Sequence, residues 1–416
     1  MSLSHRIGRM TGRDPNERHR ASTPLELLFD LTFVVAFSQI SSQAAHYLEL
    51  GDPQLRRDLA PALAGFGMGV FAATWAWINY SWLASAYDND DIFFRIATLV
   101  EMIGVLVLAL GIPQVFSSIA AGAHVDNGIL VSGYVIMRVA AVALWIRAAK
   151  HDPARRSTCL AYATNIAVAQ LGWIALIFLD LPLATTAVLI AVLVLIELAG
   201  PLIAERKYGR TPWHPHHIAE RYGLLVIITL GEIVLGTILA ISAVVQVQGW
   251  TLEAALVALG GSTLVFALWW VYFTLPSGVL LARHRERGFA WGYSHIVLFA
   301  SLIGVGAGLH VAAQVISHEA HVDATFALLC VAVPVLVVEL MVFALYGLLS
   351  REFNVLHLVL LIAGALILVA SVAAVAIGAS IGVALLIAAA SPVAIVVGYE
   401  TVGYRYQAAL LDREVD

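Results

Sequence analysis

The feature that most constrains this chain is a series of apolar runs, each of twenty or more residues, that recur from Leu25 to the C-terminal end. A run of this length crosses about 30 Å of hydrocarbon as an α-helix. Hydrophobic residues make up 61% of the 416 residues and charged residues only 12%, whereas a soluble domain carries about 25% charge. Uninterrupted apolar runs also lack the alternation of a transmembrane β-strand. We therefore predict an all-α, polytopic membrane protein.

The hydropathy pattern predicts twelve spans, six in each half of the chain. The first six cover 25–48, 61–86, 92–116, 128–149, 157–180 and 183–204. The second six cover 217–244, 252–281, 289–314, 324–349, 354–377 and 379–403. The last two spans are almost continuous, and Gly378 and Ser380 mark the best position for a turn between them.

The second half repeats the first at a constant offset of 194 residues. The stretch ATWAWINYSW falls on ALWWVYFTLP, and the same offset pairs Glu101 with His295 and Ser38 with Glu232. An even number of spans gives both halves one orientation, so we predict two parallel six-helix repeats that enclose a midplane site. The predicted plan is a basic segment 1–24, a repeat 25–204, a linker 205–216, a repeat 217–404 and a tail 405–416.

Basic residues are concentrated on alternate loops, which predicts cytoplasmic termini in a bacterial inner membrane. They are Arg6, Arg9, Arg13, Arg18, Arg20, Arg147, Lys150, Arg155, Arg156, Arg206, Lys207, Arg210, Arg283, Arg285, Arg287, Arg351, Arg405 and Arg413. The opposite loops hold only Arg56 and Arg57. The first twenty-three residues lack the apolar segment that a cleavable signal peptide requires. We expect this basic segment to bind anionic lipid headgroups. The basic residues are dispersed over several loops, so the sequence does not predict binding to nucleic acid.

Two segments resemble the signatures of a known family. The segment TPLELLFDL, which begins at Thr23 and continues as TFVVAFSQIS, is similar to the opening signature of the bacterial low-temperature-requirement A (LtrA) membrane proteins. Glu220-Arg221-Tyr222-Gly223, followed by ITLGE, resembles the second signature. The resemblance covers essentially the whole chain and implies a multi-spanning membrane protein, but the family name records a cold-growth phenotype and implies no reaction. A fainter likeness links Phe29-Asp30 to the Phe-Ser-Asp signature of lysosomal potassium channels, without the serine.

Acidic residues inside apolar spans are costly, and they are therefore the candidate substrate or ion ligands. Glu26 and Asp30 lie four residues apart and share a helix face. Two carboxylates there can collect cations or a proton. Capping by Thr23, before Pro24 at the first helical position, explains Glu26 well and explains Asp30 less well.

Glu232 lies near the centre of its span, and we expect it to meet Ser38 through the repeat symmetry. Thr229, Glu232 and Gly236 share a face, while Gly231 and Gly236 permit close backbone approach. A proton or cation site is the preferred interpretation, and a structural ion pair or a protonated glutamate bonded to a neighbouring helix is the alternative.

Four further groups lie within spans. Glu101 and His295 are equivalent in the repeat, which pairs an acid with a titratable base, although a lone histidine is more often a packing residue. Arg138 needs a counter-ion, for which Glu101 and Glu232 are the candidates. Glu197 precedes Gly200-Pro201, where a helix break would free backbone carbonyls for an ion.

Together these residues predict a proton-coupled transporter of an unknown small substrate, with lipid as its environment and a homo-oligomer possible. A passive cation channel lined by the first helix of each repeat, and a sensor or scaffold without transport, are the alternatives. The sequence has no phosphate loop, metalloprotease motif or nucleophile elbow, so we predict no enzyme activity and no cofactor. His217 and Glu220 share a face but lack a second carboxylate, so we predict no metal site.

Overall fold

A computed structural model describes residues 7–15, 17, 20–50, 59–122, 124–352, 354–406 and 408 of the chain. Arg6, Arg18, Arg56, Arg57 and Arg413, which entered the prediction of topology, lie outside the described residues. The described part is helical without strands. Twelve segments are long and apolar enough to cross a membrane, so the predicted fold class and number of spans are confirmed. The repeat symmetry stays a prediction.

The first six spans are six single helices. They are α1 (Pro24–Glu49), α2 (Ala60–Tyr87), α3 (Ile92–Ala120), α4 (Gly128–His151), α5 (Arg156–Phe178) and α6 (Leu183–Tyr208). The last six comprise α7 (Pro215–Gln248), α8 (Leu252–Phe273), α9 (Ser277–Arg283), α10 (Gly288–Ile316), α11 (Ala324–Ser350), α12 (Val355–Ala376) and α13 (Ile381–Gly398). A π-helical turn, Tyr399–Gly403, extends α13.

Glycine and proline residues decide three details of this pattern. The turn predicted between the last two spans is confirmed, because Gly378 has φ of +100° and Ser380 caps α13 by accepting from the backbone N–H of Val383. The eighth span is divided into α8 and α9 beside Pro276, which cannot donate a helical hydrogen bond. The break predicted at Gly200-Pro201 is wrong, because α6 continues through Pro201 to Tyr208.

Contacts divide the described residues into two compact units. Unit 1 comprises Met1–Gln43 and Ala60–Tyr222, and unit 2 comprises Ala44–Leu59 and Gly223–Asp416. The first two turns of α7, residues 215–222, therefore belong to unit 1, which differs from the boundary predicted at the linker.

Within unit 1, α2 is the most enclosed helix. Every residue from Ala72 to Tyr87 is buried, including the tryptophans and tyrosines of this stretch. The neighbouring pair α3 and α4 packs closely because glycines face each other. A methyl group on Gly133 would overlap the backbone of Leu108, and one on Gly104 would overlap Met137. Small residues at such crossings are the usual basis of helix association in lipid.

Candidate functional site

The first concentration of buried charge is a row of ion pairs between the start of α1 and the start of α7, both in unit 1. His217 Nε2 lies 3.1 and 3.2 Å from the two carboxylate oxygens of Glu26. Arg221 donates to Asp30 Oδ1 at 2.5 Å, and its second nitrogen lies 3.8 Å from Glu26. Trp77 of α2 donates its indole N–H to the same Asp30 oxygen at 2.6 Å. We call Glu26, Asp30, His217, Arg221 and Trp77 the α1 cluster.

The local sequence explains how the α1 cluster is held. Thr23 and Glu26 form a reciprocal capping box, in which the Thr23 N–H donates to Glu26 at 2.8 Å and the Glu26 N–H donates to Thr23 Oγ1 at 3.2 Å. The predicted capping of α1 by Thr23 is thus confirmed. Glu26 and Asp30 are four residues apart, as are His217 and Arg221, so each pair presents one helix face. Because the two spacings match, His217 pairs with Glu26 and Arg221 pairs with Asp30.

The second concentration of charge lies deeper in unit 1, around the carboxylate of Glu197 on α6. Four donors converge on it: Tyr134 at 2.9 Å, Gln170 at 3.2 Å, Trp75 at 2.9 Å and Arg138 at 3.2 Å. The side chains of Arg138 and Glu197 are only 2% and 1% exposed. The ion-pair partner of Arg138 is therefore Glu197, which is neither of the two counter-ions predicted for it, Glu101 and Glu232.

Glu101 of α3 completes this second group. It is 2% exposed, and its Oε1 has no hydrogen-bond partner within the part of the chain that the structure describes. It interacts with Arg138 electrostatically, without a direct bond. We call Glu101, Arg138, Glu197, Tyr134 and Gln170 the α4 cluster. It holds two carboxylates and a single guanidinium, so one negative charge has no counter-charge of its own.

An apolar cavity of about 350 Å³ adjoins the α4 cluster. It lies mainly between α2 and α6, and its wall includes Met68, Phe71, Trp173, Ile190, Val194 and the Tyr134 ring. In unit 2, α8 and α13 pack directly, because Gly260 and Gly382 bring their backbones close to Leu385 and Leu256. The cavity of unit 1 is in the size range of small-molecule sites, which are mostly apolar with a few polar groups.

In unit 2, Glu232 lies at a close crossing of α7 and α10. A methyl group on Gly306 would come within 2.8 Å of the Glu232 Cβ, and one on Gly236 within 2.6 Å of Leu309. Close approach at Gly236 is thus confirmed, whereas Gly231 has no neighbour that an added methyl group would contact. Ser38 is half-buried in unit 1. That it meets Glu232 stays a prediction.

His295 is a packing residue of α10 in this structure. It is fully buried, its Nε2 lies 3.0 Å from the hydroxyl of Tyr272, and its Nδ1 lies 2.8 Å from the carbonyl oxygen of Trp291. Its ring centroid is 4.2 Å from that of Trp291. The contact with Glu101 that the repeat predicts stays a prediction.

The metal ligands considered in the sequence have other partners. His217 contacts Glu26, while Glu220 accepts the backbone N–H of Ser22 at 3.2 Å. Over the described ranges, no group of three or more histidine, cysteine, aspartate or glutamate side chains is placed to hold a metal ion.

The N-terminal segment is bound to the loops of unit 1. Gly8 donates to Asp91 at 2.9 Å and accepts from Arg147 at 2.8 Å, while Met10 is fully buried and donates to His151 at 3.0 Å. Arg147 also pairs with Asp91. Burial alone would raise the pKa of Asp91, but the bonds from Arg147 and from backbone N–H groups lower that pKa to about 2. The described part of this segment therefore forms a strap on its own protein.

The strap continues beside Asp88, which follows α2. The backbone N–H of Arg13 donates to the carbonyl of Ala86 at 3.0 Å, and Arg20 donates to that of Ala84 at 2.7 Å. Burial, together with the charge of Glu26, raises the pKa of Asp88 to about 6. These bonds hold the strap on unit 1, and the expected contact of this segment with lipid headgroups stays a prediction.

Sequence reasoning missed several of the hydrogen-bond donors in both clusters. Arg221 was quoted as part of a signature but was given no role, although its spacing from His217 matches that of Glu26 from Asp30. Tyr134 and Gln170 carry no signal in a single sequence. The indoles of Trp75 and Trp77 were also missed, although each donates to a carboxylate.

Within the described residues, twelve apolar segments long enough to cross a membrane, with charged groups buried among them, define a multi-pass membrane protein. The family model of the bacterial low temperature requirement A protein (LtrA) matches residues 21–392, and the chain belongs to this family. An uncharacterized protein of Rhizobium meliloti (strain 1021), RA0937, is 26% identical over 275 residues. The match covers 63% of this chain and 60% of that relative.

Proposed function

We propose that the protein is a membrane transporter that couples the movement of a small substrate to protons. The observation that supports this most directly is the charge of the α4 cluster, where Arg138 serves both Glu197 and Glu101. Glu197 already receives the guanidinium and three further donors. Glu101 must therefore be protonated or, when ionised, be balanced by a further cation. A carboxyl that gains and loses a proton inside a membrane is the basic component of a proton relay.

The cavity beside the α4 cluster is the proposed substrate site. Its apolar wall favours a substrate with an apolar body, and the Tyr134 hydroxyl connects the aromatic part of that wall to Glu197. Protonation of Glu101 changes the net charge around Arg138 and thereby the electrostatic environment next to the cavity. This is the physical link we propose between the proton and the substrate. The chain is assigned transport and no chemical reaction.

We further propose a bacterial cytoplasmic membrane with both termini inside. The strap and the α2–α3 loop lie at one end of unit 1, together with arginines of the α4–α5 loop, which is the distribution that the positive-inside rule associates with the cytoplasm. Reporter domains fused to the C-terminal residue test this orientation. Activity of a reporter that functions only in the periplasm would contradict it.

Proton movement through proteoliposomes tests the transport proposal without knowledge of the substrate. Vesicles containing a pH-sensitive dye are given a pH gradient and a panel of small organic solutes, and solute-dependent proton flux is recorded. We expect a saturable flux that E101Q abolishes, because glutamine cannot exchange a proton. E319Q, which alters an exposed glutamate of a loop in unit 2, is the matched control and should leave the flux unchanged.

Three outcomes would contradict the proposal. Flux in E101Q equal to that of the native protein would remove Glu101 from the mechanism. Large unitary currents without saturation would establish a passive channel. Absence of flux for every solute, with correctly folded protein, would favour a sensor or scaffold.

A further inference from the structure

Helix α1 carries polar side chains on an exposed face of a membrane span. Gln39 and Ser42 are exposed, and Gln43 is half-buried. A helix rises 1.5 Å per residue, so Gln39 lies about 4 Å and Gln43 about 10 Å beyond the midpoint of Pro24–Glu49. Both distances are less than half of the ~30 Å hydrocarbon thickness. When α1 is centred in the bilayer, these side chains therefore lie at the depth of the lipid tails.

The side chains of Gln39, Ser42 and Gln43 form no hydrogen bond with any residue that the structure describes. Exposed hydroxyls of other spans differ in this respect. Ser132 of α4 and Ser294 of α10 each donate, at 2.7 Å, to the carbonyl four residues earlier in their own helix. Lipid tails cannot form hydrogen bonds, so the two amides of α1 need a polar partner.

The exposed face of α7 has the composition that lipid contact alone requires. α7 is the first of the last six spans, as α1 is of the first six. Between Gly223 and Ala240, its exposed side chains are Ile227, Val234, Leu235, Ile238 and Leu239. All five are aliphatic. Amides on an exposed face are therefore not required for a helix of this kind to lie against lipid.

The same face of α1 is aliphatic towards the start of the helix. At about 100° per residue, Leu28, Leu31 and Val35 lie within about 40° of Ser42 around the helix axis, and Gln39 lies about 60° from it. These three aliphatic side chains are 50%, 60% and 46% exposed. A water-filled path along this face would end at the aliphatic half, whereas a second helix packs against both halves.

A second copy of α1 supplies the chemistry that this face needs. A primary amide carries both an acceptor oxygen and donor N–H groups, so two identical amides can bond each other. When a twofold axis relates two copies, a residue near the axis faces the same residue of its partner, and the interface is self-complementary. Ser42 is small, which lets the two backbones approach closely.

We propose that the protein forms a homodimer in the membrane through the exposed face of α1, with Gln39 of each protomer bonded to the same residue of its partner. The face from Leu28 to Gln43 belongs to unit 1. The α4 cluster and the apolar cavity play no part in this contact, so the dimer does not rest on the proposed transport function.

Disulfide cross-linking in native membranes locates the interface. S42C places a thiol on the exposed face of α1, and V234C, the matched control, places one on the exposed aliphatic face of α7. The unmodified chain, whose Cys159 is buried and Cys330 half-buried, is the blank. With a copper–phenanthroline oxidant, we expect S42C to give a dimer band on a non-reducing gel, and V234C and the blank to remain monomeric.

Energy transfer between labelled copies of the full chain in liposomes measures the dissociation constant. Q39L removes the amide and should weaken the dimer about tenfold, the effect of losing one typical interhelical hydrogen bond in a membrane. S42I should weaken it further, because a branched side chain keeps the backbones apart. S132A, which alters a hydroxyl bonded within its own helix, is the matched control and should leave the constant unchanged.

Three results would overturn the proposal. A monomeric native chain without S42C cross-linking would exclude the dimer. A dimer that neither Q39L nor S42I weakens would use another surface. Labelling of S42C by a membrane-impermeant maleimide, without cross-linking, would show that this face borders water. If Q39L does not fold, S42I and the cross-link decide. E101Q should dimerise as the native chain does even where it lacks proton flux, so the failure of either proposal is distinguishable from that of the other.

Discussion

Replacement of the three charged members of the α4 cluster should produce a defined order of stability losses. R138Q leaves Glu101 and Glu197 without a cation, and removing one partner of a buried ion pair costs about 3–5 kcal/mol. E197Q leaves one charge of each sign, Arg138 and Glu101, but loses charge-assisted hydrogen bonds, for which about 1–3 kcal/mol is expected. E101Q leaves the Arg138–Glu197 pair and all its donors in place, so its cost should stay within about 0.5 kcal/mol.

The free energy of unfolding in mixed detergent–SDS micelles, followed by tryptophan fluorescence, measures this order. R138K is the matched variant, since lysine retains the charge without the guanidinium geometry, and it should lose less than R138Q. Near-equal losses for R138Q and E101Q would refute the reasoning, because they would show that the cluster has no shared charge balance. E101Q that is stable but inactive in proton flux would separate the functional role of Glu101 from a structural one.

Three further outcomes are expected. Folding raises the pKa of Asp88 from 3.8 to about 6, so ionisation of Asp88 destabilises the folded protein as the pH rises through that window. In unfolding titrations, the free energy of unfolding of D88N should therefore exceed that of the native protein by up to about 3 kcal/mol at neutral pH. A difference that does not depend on pH would contradict this. G133A should lose about 1–3 kcal/mol through overlap of α3 and α4, while G67A, whose added methyl group meets nothing, should lose none; equal effects would refute the close crossing. R147Q should let trypsin cut the N-terminal strap faster than R95Q does, since Arg95 pairs only at an exposed surface; identical cleavage would show that Arg147 does not hold the strap.

The spans were predictable because hydrocarbon imposes a length and a composition on each helix. The turn after α12 was equally accessible, since Gly378 tolerates a positive φ and Ser380 is a strong N-cap residue. The division of the eighth span at Pro276 was missed because the apolar run continues beyond the proline. Continuity of α6 through Pro201 was also missed, because a proline in a membrane helix is tolerated when packing supports its neighbours.

The candidate sites were predictable only as a list of buried acids. The sequence identified Glu26, Asp30 and Glu197 from the cost of charge in lipid, but their partners lie far away along the chain. Glu101 lies on α3, which packs directly against α4, yet Arg138 bonds to Glu197 on α6. Side-chain orientation decides this choice, and hydropathy does not contain that information. The orientation in the membrane and the pairing of Ser38 with Glu232 stay predictions for the same reason.

The enclosed helix α2 makes the two clusters of unit 1 depend on a single rigid rod. Trp75 donates to Glu197 and Trp77 donates to Asp30, and two residues correspond to about 200° around a helix axis. The two indoles therefore leave α2 on nearly opposite sides. Rotation of α2 about its long axis would lengthen both hydrogen bonds together. Protonation of one acid would therefore affect the other through a movement of α2, without transfer of charge between them.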